Sequence, residues 1–346
     1  YPIFAFARIN DTAQFGIVKL FILISTLSLS VITYYFIEKP ARDKKFGSKP
    51  IFKYIFITVF LIIISSLIII NKQGKLNKFN VKIEKSILSS LFESECKYSS
   101  NNVNFSKDSF FKTRFYNCQK KFRKFILILG DSHSINLFNS ISKLSNEEVF
   151  IIGLNRGGCR PGAKISRNCH YSNALKFIKR YKDDIKFIIF NHKGSYFLTN
   201  TGKKENFSDS SFRKLPLDNE QIKNTIDYLI SIRNLKKELI FIGPHLEPNI
   251  KLSRKNIIKI VIDKKKIEDK TNYDLLKVDN KLKEITNKHN ISYISKIDAL
   301  EYDFKRDFIV DNSITFSDKD HWNNYGEVYF GKKLITNSII KDILIP

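Results

Sequence analysis

The sequence predicts an α/β chain in which two membrane-spanning helices precede a three-layer α/β/α domain with a parallel sheet. Three observations carry that expectation. Two apolar runs of spanning length lie before residue 71. Beyond residue 124, apolar runs of strand length recur, continuous rather than alternating, as strands buried on both faces are. Between them stand segments of helical period.

Residues 16–37 (GIVKLFILISTLSLSVITYYFI) and 51–70 (IFKYIFITVFLIIISSLIII) are each long enough to cross a hydrocarbon core of about 30 Å. The loop between them, EKPARDKKFGSKP, carries Lys39, Arg42, Lys44, Lys45 and Lys49 against Glu38 and Asp43. By the positive-inside rule this loop is cytoplasmic, so the second span runs outward and the remainder lies outside the cytoplasmic membrane. Residues 1–71 are therefore expected to form a membrane part, 72–95 a linker, and 96–346 an exported domain. The strand-like runs fall at 125–129, 149–154, 187–190, 239–242 and 291–294. Residues 220–232 place Ile222, Ile226, Leu229 and Ile230 on one helical face.

A length of 346 residues exceeds what one core fills, which agrees with two modules. The chain contains no Met and opens at Tyr1, and it reads as a fragment or a processed form. A net charge of +25 and a pI of 9.7 invite nucleic-acid binding. The lysines, however, are spread along the chain beside abundant Asn, Ile and Phe. That spread fits a solvated basic surface and argues against a nucleic-acid partner; a patch for anionic glycans or lipid headgroups is the alternative.

All four cysteines, Cys96, Cys118, Cys159 and Cys169, lie in the exported part. None shows the CxxC spacing of zinc sites, so no metal is expected, and an even count suits two disulfides in an oxidising compartment. Proximity favours Cys96 with Cys118 and Cys159 with Cys169; two other pairings are open.

In a parallel sheet the working residues gather at the carboxyl ends of the strands. The run KFILILG is followed at once by Asp131, Ser132, His133 and Ser134. A Ser on the sharp turn leaving a buried strand presents its hydroxyl beside the backbone N–H groups of the next helix, as a nucleophile requires. Asp-Ser also caps helices, and that is the bland reading of the same residues. Near the other end, Asp318 precedes His321 by three residues in a turn entering a helix. An Asp so placed can hold imidazole Nδ1 while Nε2 faces a nucleophile.

GDSH at 130–133 and DKDHWNNYG at 318–326 resemble the first and last blocks of the SGNH/GDSL hydrolases, which have a flavodoxin-like fold. The resemblance implies Ser132 as nucleophile, His321 as general base and Asp318 as its orienting carboxylate, with Asp320 second in line. It further implies an oxyanion hole made by Ser132, by Gly158 (with Gly157 as neighbour) in NRGGCRP, and by the residue matching the third block. The Gly-x-Asn-Asp of that block is absent, and Asn191 in FNHKG stands in its place as a weak candidate. His133, His170, His245 and His289 read as non-catalytic.

TYYFIEKPARDKK at 33–45 resembles the closing segment of the membrane acyltransferase-3 domain, and YPIFAFARI resembles the end of an earlier helix in it. That domain fused to an SGNH domain implies a bacterial inner-membrane, multi-pass enzyme with a periplasmic SGNH domain. Such an enzyme O-acetylates envelope polysaccharides such as lipopolysaccharide O-antigen. The implied partners are the glycan acceptor, membrane lipid and upstream acyltransferase-3 helices; acetyl-CoA is the implied donor to those helices, and no cofactor is expected on this fragment. A membrane-anchored carbohydrate esterase using the same triad, and a non-catalytic glycan-binding module, are the competing readings.

Overall fold

The structure, a computed structural model, describes residues 16–42, 56–57, 59–64, 66–67, 92–100, 109–162, 169, 171–199, 215–235, 237–248 and 271–344. The chain divides into two compact units, Tyr1–Asn80 and Val81–Pro346.

In the first unit a helix α1 (Gly16–Thr33) continues through a π-helical turn, Tyr34–Glu38, into Lys39–Arg42. The widened turn comes where Pro40 has no N–H to offer the preceding turn. Leu20, Phe21, Leu23, Ile24 and Leu27 of α1 are exposed, as are Phe56, Phe60 and Leu61. Among the described residues no helix is long and apolar enough to cross a membrane. The first expected span, 16–37, is thus a regular helix only as far as Thr33, and the second, 51–70, falls partly outside the described residues.

The second unit is built on a sheet of six strands: β1 (Lys97–Ser100), β2 (Phe125–Gly130), β3 (Ile151–Asn155), β4 (Ile185–Asn191), β5 (Leu239–Ile242) and β6 (Ser292–Ile294). Every neighbouring pair is parallel, in the order β1-β3-β2-β4-β5-β6. Without the edge strand β1 this is the doubly wound, flavodoxin-like order, and β2 lies at its switch point, where ligands bind. Along β2 the side chains alternate between two cores, Phe125, Leu127 and Leu129 on one face and Ile126 and Ile128 on the other. The first core is closed by α2 (Ser109–Phe122), α4 (Tyr171–Arg180), α5 (Asn219–Arg233) and α6 (Asp274–Lys288). The second is closed by α3 (Ser132–Leu144), α7 (Asn324–Leu334) and α8 (Ser338–Leu344). Helices on both faces are why the strands read as unbroken apolar runs. The three expected layers and the parallel sheet are present.

Strand β1, KYSS, carries no apolar run and was not expected. Lys97 is buried there, and its ammonium donates to the carbonyls of Ser142 (3.2 Å) and Ser145 (2.9 Å) at the end of α3. A cation at a helix C-terminus satisfies carbonyls that have no partner within the helix.

Candidate active site

The turn between β2 and α3 is set by Gly130 and Asp131. A Cβ on Gly130 would stand 1.9 Å from the Asn191 carbonyl oxygen, so only glycine lets β4 approach this closely. Asp131 is fully buried and caps α3: its Oδ1 accepts from the His133 N–H (2.9 Å) and its Oδ2 from the Lys193 N–H (3.1 Å). Asp131 thus caps α3, and Ser132 takes the first helical position with its side chain outside the cap.

His321 Nε2 stands 2.8 Å from Ser132 Oγ, and His321 Nδ1 stands 2.8 Å from Asp318 Oδ2. Asp318 is fixed by its own loop, since its Oδ1 accepts from the N–H of Asp320 (2.9 Å) and of His321 (2.7 Å). A second carboxylate approaches the same ring nitrogen, with Asp320 Oδ1 3.3 Å from Nδ1. The Asp318 side chain is 52% exposed and that of Asp320 only 4%, so the nearer carboxylate is wet and the farther one dry. Burial works against the imidazolium, but the hydrogen bonds and charges of Asp318 and Asp320 outweigh it and push His321 up to about 10.

The helix that carries Ser132 is locked to the loop that carries His321. The Asn136 side chain exchanges hydrogen bonds with the backbone N–H and C=O of Trp322, each 3.1 Å. Glu327, fully buried on α7, accepts from Asn136 Nδ2 (2.8 Å), Asn139 Nδ2 (2.9 Å) and Lys143 Nζ (2.5 Å), all on α3.

The family of SGNH domains described as fused to AT3 domains matches residues 95–335. The chain belongs to that family. No curated protein matches it. Among solved structures it is similar to a lipopolysaccharide acetyltransferase periplasmic domain of Salmonella ser. Paratyphi A, at 21% identity over 67% of this chain and 90% of that one, with a TM-score of 0.48. It is also similar to a GDSL-like lipase of Bacteroides thetaiotaomicron (12% identity, 67% and 98% covered, TM-score 0.36). A carbohydrate acetylesterase family member of Sinorhizobium meliloti matches at 9% identity, with 64% and 99% covered and a TM-score of 0.37.

In this SGNH domain the loop after β3 carries the glycines expected at the oxyanion. Cys159 N–H donates to the Arg156 carbonyl (3.2 Å), closing a turn in which Gly158 takes the third place with φ 75°. A positive φ there is the demand of a type II turn. Gly157 lies against Ser132: a Cβ on Gly157 would be 3.7 Å from Ser132 Cβ. Asn191 is a correction. Its amide donates to the carbonyls of Ile242 (2.7 Å) and Gly243 (3.2 Å), and its Oδ1 accepts from Lys296 Nζ (3.3 Å), so it ties β4 to β5 and offers no donor at Ser132. The strand's register turns this side chain inward between its neighbours, which spacing in the sequence does not reveal.

Beside His321 the SGNH domain holds a buried polar cluster that sequence reasoning missed. The Lys193 ammonium pairs with Asp320 Oδ2. His133 Nε2 stands 3.7 Å from the same oxygen and 4.0 Å from Glu247 Oε1. Burial lowers His133 to about 4 and raises the Glu247 carboxyl to about 8. Asp320 is pushed up by burial, but the imidazoles of His133 and His321 outweigh this and hold it ionised. His245 Nε2 donates to the Asp320 carbonyl (3.2 Å), and the His245 ring stacks on His133 with centroids 5.1 Å apart. His133, Asp320 and His321 stand close enough, within 4.8 Å, to ligate a cation, but the Lys193 ammonium already sits on the Asp320 carboxylate. The available signal was His133 and His245 next to strand ends; their partners are far away in sequence.

The disulfides pair Cys96 with Cys118 and Cys159 with Cys169. The second anchors the glycine loop directly, and the Cys159 carbonyl also faces His192 Nε2 at 2.9 Å.

Proposed function

We propose that the chain is the C-terminal part of a bacterial membrane-bound O-acyltransferase that acylates, and specifically acetylates, an envelope polysaccharide such as lipopolysaccharide O-antigen. The observation that carries the chemistry is the line from Asp318 through His321 to Ser132, with both links 2.8 Å. His321 takes the Ser132 proton as Oγ attacks the acyl carbonyl, and the leaving group departs with that proton, so an acyl-serine remains. A sugar hydroxyl then attacks the acyl-serine. His321 takes the hydroxyl proton and returns it to Ser132 Oγ, so one ester bond breaks as another forms.

The membrane setting is supported by the apolar runs before residue 71, the basic loop between them, and the resemblance of 33–45 to the acyltransferase-3 closing segment. The family's description as fused to AT3 domains supports the same arrangement. In it, upstream acyltransferase-3 helices draw the acyl group from acetyl-CoA, and the SGNH domain works on the periplasmic side. Two disulfides agree with that compartment.

The engaged amide of Asn191 favours one competing reading, a site too poor in oxyanion donors for turnover that only binds glycan. Losing one such donor typically costs about 10²-fold or more in rate. The deciding experiment offers the full chain, in detergent, p-nitrophenyl acetate with and without a polysaccharide acceptor, beside Ser132→Ala. Acetyl ester appearing on the sugar, dependent on Ser132, is the expected result. Free acetate alone would mean an esterase, and no turnover by folded wild type would mean a binding module.

A further inference from the structure

Beside the triad lies a pocket of about 360 Å³ that formation of an acyl-serine does not use. Sites for small ligands have volumes of roughly 300–1,000 Å³. Its wall includes Arg160, Lys193, Tyr196, Glu247 and Lys319, three cations against one acid. The Arg160 guanidinium lies 5.2 Å and the Lys193 ammonium 5.9 Å from the centre of the Tyr196 ring, so a flat aromatic surface stands close to two positive charges. Lys193 is committed to Asp320. Arg160 makes no ion pair among the described residues and keeps its planar fork of donors for a ligand. The one acid does not cancel this charge, because burial pushes Glu247 up to about 8 and keeps it protonated at neutral pH.

Two links join the pocket to the residues around Ser132. The loop that sets Gly157 against Ser132 ends at Arg160, and Lys193 connects the pocket through Asp320 to His321. We propose that this pocket seats an anionic sugar of the acceptor, its carboxylate or phosphate drawn to Arg160 and its ring laid on Tyr196. This rests on the acyl transfer proposed above and names its acceptor class.

The test titrates the full chain carrying Ser132→Ala, in detergent, with D-glucuronate, D-glucose 1-phosphate and D-glucose, read by calorimetry. At least one anion should bind about ten-fold tighter than glucose, a factor that high salt reduces. Tighter glucuronate assigns a carboxylate, tighter glucose 1-phosphate a phosphate. Adding Arg160→Gln should erase the preference, whereas Arg160→Lys should keep part of it, with melting curves confirming that each variant is folded. Equal affinity for the three sugars, tighter glucose, no binding of any, or a preference that survives Arg160→Gln would overturn the proposal. Turnover of p-nitrophenyl acetate needs no sugar: if it persists and depends on Ser132, a negative titration removes only the acceptor class, while its absence removes the underlying acyl transfer.

Discussion

Asn136, one helical turn beyond Ser132, exchanges two hydrogen bonds with the backbone of Trp322, the residue after His321. The separation of Ser132 and His321, 189 positions apart in sequence, is thereby set by a neighbour of each. Asn136→Ala leaves the Trp322 N–H and C=O buried without that partner, at a cost of roughly 1–3 kcal/mol. The larger consequence is for catalysis, since a displacement of about 1 Å can cost on the order of 10²-fold in rate. Rates with p-nitrophenyl acetate should therefore fall about 10- to 100-fold in a variant that still melts cooperatively. An unchanged kcat beside a lowered Tm would show that the clamp serves stability alone.

The pH dependence follows from the two carboxylates at His321 Nδ1. With its pKa pushed up to about 10, His321 is an imidazolium at neutral pH and must lose a proton to act as base. Ser132-dependent turnover should rise with pH toward about 10, measured after subtracting a Ser132→Ala blank. Asp318→Asn removes one source of the upward shift, so the midpoint should move to lower pH while the maximum rate falls. A midpoint unmoved by that substitution would mean that Asp320 alone sets the histidine's proton affinity.

Glu247 makes an opposite kind of prediction, about stability. Its carboxyl ionises near 4.5 when unfolded and near 8 in the fold, because burial disfavours the charge. Below the unfolded value both states are protonated and the group costs nothing. As pH rises from about 4.5 to about 8 the unfolded chain loses its proton first, so stability falls across that window. Glu247→Gln removes this loss and should be more stable than wild type at pH 7 by on the order of 2 kcal/mol, with little difference at pH 4.5. Denaturant titrations at the two pH values check it; a gap that does not widen with pH would contradict the buried, neutral carboxyl.

The parts of the fold legible in the sequence are those fixed by local pattern. Strand β5 matches its apolar run to the residue, and β2 and β3 differ from theirs by one or two positions, because burial on both faces leaves an unbroken apolar signal. The motif residues Ser132, Asp318 and His321 also converge, since strand-end position and the three-residue Asp–His spacing are local properties. Strand β1 was not legible: Lys97-Tyr98-Ser99-Ser100 is held by a parallel pairing with β3 and by the disulfide at Cys96, neither of which is local. Asn191 was misread because its amide is consumed by carbonyls 51 and 52 positions away. The Lys193–Asp320 pair spans 127 positions, and no spacing rule reaches that far.

The most direct test of the account is to mix the full chain with p-nitrophenyl acetate, quench at early times in acid, and map the acetylated residue by peptide mass spectrometry. An acetyl group should appear on Ser132, absent in Ser132→Ala and accumulating more slowly in His321→Ala. Acetylation at another residue, or a label that persists in Ser132→Ala, would contradict the triad at the centre of it.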